Sequence, residues 1–393
     1  MKVAFVVPRY GDEVFGGAER AAQQLAERLH ARTGWTVEAL TTCAVDYRTW
    51  ENWYPEGATE LRGVQVHRFA SRHGRSADFD EYSGPVLGAP ERASAEQQAG
   101  WIERQGPVCP DLLDAIRATD AEIVTFHPYL YAPTVLGLAL AGDRAVLHPS
   151  AHDEVPIRLP LYRDVFAAAR ALVFWTRDEQ AFTNRMFPVG ATPQLVLGLG
   201  VEPAAGDAEA ARAATGLGDR PYLLCLGRVD DAKGTGPLVR WFAAYKERHP
   251  GPLALVLAGP VVTQPPAHPD VVVTGSVDEA TKWGLLEAAE VNAVPSTHES
   301  FSIVLLEGWV AGRPALVNGA CAVTRAHAAR SGGGLWFDDY AHFEIALERL
   351  TASASLRAEL GAAGQAYARD EYGWPQLIDR YASFLEGVAG FAT

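Results

Sequence analysis

The sequence is short of lysine. Lys2, Lys233, Lys246 and Lys282 are its only lysines among 34 basic residues, so wherever arginine would serve, arginine stands. A lysine in this chain is therefore an informative choice. Positive charge as a whole is scarce too, because 48 acidic residues leave a formal net charge of −14. That balance disfavours a general nucleic-acid binder, which needs basic surface to release counterions from phosphates. It also disfavours strong adhesion to anionic lipid and leaves at most peripheral membrane contact. Cys43, Cys109, Cys225 and Cys321 are scattered without metal-ligand spacing, which points to a reducing, cytoplasmic compartment. No apolar run approaches about 18 residues, so no transmembrane helix is expected. The opening "MKVAFVVPRYG" lacks the long apolar region and cleavage site of a secretory signal.

What remains is a globular composition, 48% hydrophobic and 21% charged over 393 residues, enough for two or three domains. "VAFVV" (3–7) is a continuous apolar run suited to a strand buried on both faces. A glycine-containing loop, the helical pattern "AERAAQQLAERLHA" and a second strand, "WTVEALTT", complete a βαβ unit. Strands recur at 121–128, 145–150 and 171–176. Composition then turns to Gly, Ala and Pro over 197–221, a domain boundary, after which the rhythm restarts. The expected architecture is α/β: a doubly wound domain over 1–200, a second over 201–372, and a helix over 373–393 returning to the first. Ligands of such sheets bind at the carboxyl ends of the strands, here in a cleft between domains.

Three loops carry candidate chemistry. "GDEVFGG" (11–17) occupies a first βα turn, where Gly16 and Gly17 let backbone approach an anion at a helix N-terminus; it is neither the dinucleotide fingerprint nor the Walker pattern. "CLGRVDDAKG" (225–234) places Arg228 and Lys233 five apart after a strand, a spacing that suits a diphosphate. "STHESFSIVLLEGWVAGRP" (296–314) begins a helix whose first N–H groups, on Ser302, Ile303 and Val304, form an anion site. Glu299 and Glu307 flank that position, the second inside an apolar helix where a lone carboxylate is costly. Each loop also has a plain structural reading as a tight turn, a pair of solvated cations or a buried acid. His127, His148 and His152 follow strands but lack metal-ligand placement, so no metal is expected. Segment 44–105 is rich in aromatics and holds Arg62, Arg68, Arg72 and Arg75, an acceptor surface or, more simply, a mobile lid.

Together "GGAERAAQQLAERL", "GRVDDAKG" and "GSVDEATKWGLLEAAEVNAVPSTHESFSIVLLEGWVAGRP" resemble the family-4 retaining glycosyltransferases of the GT-B fold. The resemblance spans the chain and implies two Rossmann-like domains, an N-terminal acceptor domain and a C-terminal donor domain. It implies sugar transfer from a nucleotide sugar, UDP or GDP, without metal or other cofactor, to a small-molecule or lipid-linked acceptor. By position it implies that Gly17 meets donor phosphate, that Arg228 and Lys233 grip the diphosphate, and that Val277 and Lys282 border the base. Glu299 is implied to bind sugar hydroxyls, Glu307 the ribose, and His127 to stand near the reacting sugar. Ser300 and Phe301 complete the donor set, and Arg9, Tyr10, His152 and Asp153 form the acceptor set. Ser302 departs from the family's usual glycine. A non-catalytic nucleotide-sugar binding protein and a sugar-nucleotide epimerase on the same fold are the alternatives.

Overall fold

Val3, Ala4, Phe5 and Val6 are wholly buried in strand β1 (Lys2–Val6), as a run apolar on both faces requires. β1 lies inside a sheet with β2 (Thr36–Thr42), β3 (Gly57–Leu61), β4 (Val64–Phe69), β5 (Ile123–Phe126), β6 (Ala145–Leu147), β7 (Ala171–Phe174) and β8 (Gln194–Val196). The order is β3-β4-β2-β1-β5-β6-β7-β8, parallel throughout except for β3 against β4. A second sheet holds β9 (Tyr222–Leu226), β10 (Ala254–Ala258), β11 (Val271–Gly275), β12 (Val291–Val294), β13 (Ala315–Asn318) and β14 (Gly334–Phe337). Its order is β11-β10-β9-β12-β13-β14, all pairs parallel. This computed structural model describes residues 1–14, 16–299 and 301–390, and it forms two compact units. One unit is Met1–Gly198 with Pro375–Thr393, the other Leu199–Trp374.

In both sheets the strand order reverses beside the first strand: between β1 and β5 in the first unit, between β9 and β12 in the second. At such a point neighbouring loops diverge to opposite faces and leave room at the carboxyl ends. The loops that leave there follow β1 and β5 in the first unit, β9 and β12 in the second.

Segment 44–105 carries regular secondary structure. "VQVHRF" alternates buried and more open residues in β4, the period-2 pattern of a half-buried strand, and pairs with β3 in an antiparallel hairpin. Helices Phe79–Gly88 and Ala95–Gln105 follow, the second closed by a full Ser94–Gln97 capping box. Arg68 is buried, donating to the Tyr10 carbonyl and the Thr59 hydroxyl, with its guanidinium over the Tyr54 ring.

The last helix, Trp374–Gly390, buries Leu377, Ile378, Tyr381, Leu385 and Val388, one helical face. It is tied to the first unit by Arg32–Asp379 at 2.8 Å and by the Tyr381 hydroxyl, 2.9 Å from Nε2 of His148. The burial should dominate. Leu385→Ala is expected to cost about 2–5 kcal/mol in urea unfolding, whereas Asp379→Asn, breaking an exposed ion pair, should cost less than about 1 kcal/mol.

Candidate functional site

The second unit's reversal point is built by two loops in contact. Gly234 takes a left-handed φ of 74°, and a Cβ there would lie 2.5 Å from the Pro295 carbonyl oxygen, so only glycine lets the loops meet. Asp230 organises the first loop: its carboxylate accepts from the Lys233 N–H at 2.7 Å and approaches Arg228 at 3.3 Å. Across the contact, Nζ of Lys233 meets Oε1 of Glu299 at 2.7 Å. Arg228 is half exposed and so keeps its guanidinium accessible.

Glu307 has its own cation. It is buried on the helix Ile303–Val310, with Nζ of Lys282 at 2.6 Å, and the same ammonium touches Glu279 at 2.8 Å. Burial works against the Lys282 charge, but Glu307 and Glu279 outweigh it and hold the ammonium above its ordinary pKa. The carboxylate that is costly in isolation is therefore neutralised within the protein. The helix seats closely on β12, because a Cβ on Gly308 would come within 2.2 Å of the Asn292 amide nitrogen, which itself donates to the Val304 carbonyl. Val277 lies half-buried against the core under the helix Glu279–Ala288.

Ser302 opens that helix in the left-handed region, with φ 68° and ψ 69°. For a residue other than glycine this costs roughly 1–2 kcal/mol. Ser302 is 6% exposed, and its hydroxyl is buried without a hydrogen-bond partner among the described residues, a further cost of about 1–3 kcal/mol. Phe301 packs edge-on against His327 and Tyr372, which fixes the turn before Ser302. Ile303 and Val304 are partly open, with their N–H groups in the helix's unpaired first turn. Ser300 lies outside the described residues.

In the first unit, Gly17 begins the helix Gly17–Thr33, and a Cβ there would meet nothing within 4 Å, so the backbone is approachable. Gly16 differs: its Cβ would strike the Glu19 carboxylate at 2.3 Å. Glu19 is buried in an ion pair with Arg9, whose guanidinium also donates to the Val45 carbonyl at 2.8 Å. Arg9 and Tyr10 are 4% and 1% exposed, so the expectation that they meet an acceptor is corrected: both are enclosed. His152 and Asp153 keep exposed side chains, beside Glu154 and Arg158.

His127 also differs from expectation. It has no exposed surface, lies stacked between Phe5 and His148, and bonds Thr125 through Nε2 at 3.1 Å. A sugar cannot touch a ring so enclosed. Burial pushes its pKa down to about 3, and burial with the neighbouring His127 lowers His148 as well. Among the described residues no group of three or more His, Cys, Asp or Glu could hold a metal ion, and no helix is long and apolar enough to cross a membrane.

Residues 220–353 match the family model of glycosyl transferases group 1. The chain is 30% identical over 217 residues to a D-inositol 3-phosphate glycosyltransferase of Saccharomonospora viridis, covering 47% of this chain and 48% of that protein. It is 26% identical to a GDP-mannose-dependent alpha-(1-6)-phosphatidylinositol monomannoside mannosyltransferase of Mycolicibacterium smegmatis, over 63% and 71% of the two chains. The chain spans about half the length of the first of these relatives. A structure described as trehalose-6-phosphate from E. coli bound with UDP-2-fluoro glucose superposes with a TM-score of 0.73 at 13% identity, covering 98% and 99% of the two chains. That likeness establishes the GT-B fold.

The enclosure of His127 has a measurable signature. Its imidazole NMR resonances should not titrate between pH 5 and 8. Because its folded pKa is depressed, only the unfolded chain takes up the proton below about 6.5, so stability falls as pH drops from there toward 3. Replacing His127 with Gln should flatten that fall by about 1.4 kcal/mol per pH unit, read from urea midpoints.

Proposed function

We propose that the protein transfers a sugar, with retention of configuration, from a UDP- or GDP-sugar to a hydroxyl of a small-molecule or lipid-linked acceptor. The observation that carries this reading is the pair of lysine–glutamate contacts at the second unit's strand-order reversal, Lys233–Glu299 and Lys282–Glu307, on either side of one helix N-terminus. In a chain with four lysines, two are spent on these two glutamates. A diphosphate at the helix N-terminus would meet Lys233 and Arg228, which, with the helix's first N–H groups, stabilise the negative charge that develops on the leaving group. This preorganised positive charge supports transfer without a metal. Lys233 would turn from Glu299 toward phosphate and free that carboxylate to accept from sugar hydroxyls; Glu307, fixed by Lys282, would accept from the ribose.

With Glu299 accepting from sugar hydroxyls and Glu307 held by Lys282, a front-face displacement is preferred, with the departing phosphate taking the acceptor proton. For the acceptor, the names of the inositol-phosphate and phosphatidylinositol relatives favour a phosphorylated cyclitol or its lipid, held by the first unit near His152 and Asp153.

Transfer assayed in EDTA across UDP- and GDP-sugars, with cyclitol phosphates as acceptors, tests the reading. One donor should give product, and Lys233→Ala or Arg228→Ala should lower kcat/KM at least tenfold, the loss expected for one charge-assisted contact. Turnover within about threefold of wild type in both variants would remove the diphosphate clamp. Donor consumed without any acceptor-linked product would favour the epimerase instead.

A further inference from the structure

The helix Arg177–Met186 is capped by Thr176, whose hydroxyl accepts from the Glu179 N–H at 3.1 Å. A glutamate at this third helical position ordinarily reaches back to the N–H of its own cap residue. Glu179 reaches further. One carboxylate oxygen accepts from the Trp175 N–H at 2.7 Å, one residue before the cap, and the other from the Ala151 N–H at 2.7 Å, 28 positions earlier in the chain. Trp175 follows β7 and Ala151 lies in the loop that follows β6, and these strands are parallel neighbours. One side chain, 3% exposed, thus ties together the segments that leave the carboxyl ends of two strands.

The loop after β6 is hung from two such fastenings. At its near end Ser150 holds a left-handed φ of 55°, and its hydroxyl accepts from the Trp175 indole at 2.8 Å, beside the Ala151–Glu179 bond. At its far end the hydroxyl of the buried Tyr129 donates to the Glu154 carboxylate at 2.6 Å. Between the fastenings stand His152 and Asp153, whose side chains are 43% and 60% exposed. The direction in which these two side chains project follows from where the Ala151 backbone is held.

We propose that Glu179 is a positioning residue for the acceptor: by fixing the Ala151 backbone it sets the aim of His152 and Asp153, without touching the acceptor itself. The proposal rests on the reading above that places the acceptor near those two side chains, and deepens it. Each carboxylate oxygen serves one segment, so the amide of the same size cannot replace it. One end of a glutamine is an N–H donor and would face a backbone N–H. Glu179→Gln therefore keeps the volume of the side chain and releases one of the two segments.

Steady-state kinetics of the full chain test this, with the UDP- or GDP-sugar that wild type turns over and cyclitol phosphates as acceptors. The variants are Glu179→Gln, the double change His152→Ala with Asp153→Ala, and Leu385→Ala, which weakens the same unit elsewhere; each is assayed below its melting temperature. Glu179→Gln is expected to raise the acceptor KM at least tenfold and to leave the donor KM within twofold. Leu385→Ala should melt lower and move neither KM. If the double variant raises the acceptor KM and Glu179→Gln leaves it within twofold of wild type, the proposal is overturned and the acceptor reading stands. Equal rises of donor and acceptor KM in Glu179→Gln also overturn it, because the effect is then a general loss of folded structure. An acceptor KM within twofold of wild type in the double variant overturns the acceptor reading and this proposal with it.

Discussion

The contact between Lys233 and Glu299 is the point on which the second unit's site depends. It spans two loops that leave adjacent strands, β9 and β12, at the reversal of strand order, and it forms only because Gly234 lets those loops touch. An ammonium and a carboxylate held 2.7 Å apart at the rim of a sheet are partly desolvated already. Their mutual attraction keeps both in place. Lys282 and Glu307 repeat the arrangement one helix away, more deeply buried, and so are better suited to hold shape than to move.

Much of this was legible in the sequence. Buried parallel strands announce themselves as unbroken apolar runs, and β1, β5, β6 and β7 lie where those runs are. Lysine scarcity marked Lys233 before any geometry was known. The pairing of Lys282 with Glu307 was not legible, because 25 residues and a strand separate them and nothing local says that the helix Glu279–Ala288 faces the helix Ile303–Val310. Nor was the enclosure of His127. The strand end "FHP" is readable, but the ring's surroundings come from Phe5, from His148 and, through His148, from Tyr381, 233 positions further along. The hairpin of β3 and β4 was readable from its alternation, yet the aromatic and arginine content of the segment drew the reading toward a mobile surface. Arginine and tyrosine side chains stack and bury as readily as they bind.

The two units spend buried polar groups differently. In the first, Arg9 with Glu19, and His127 with His148, are enclosed and hold loops in shape; Glu179 does the same, accepting from the Ala151 and Trp175 N–H groups at 2.7 Å, with burial pushing its pKa up to about 8. In the second, the charged groups of the reversal point sit at the surface or just beneath it.

The helix Trp374–Gly390 gives the first unit an unusual assembly history. Its sheet is complete in sequence by β8, but the side chains of Leu377, Ile378, Tyr381, Leu385 and Val388, which cover part of that unit, lie beyond the whole of the second unit in sequence. A unit whose strands all precede the second unit in sequence is thus completed only after the second unit has been made. Until that helix is made the first unit exposes an apolar seat, and His148 waits for the Tyr381 hydroxyl.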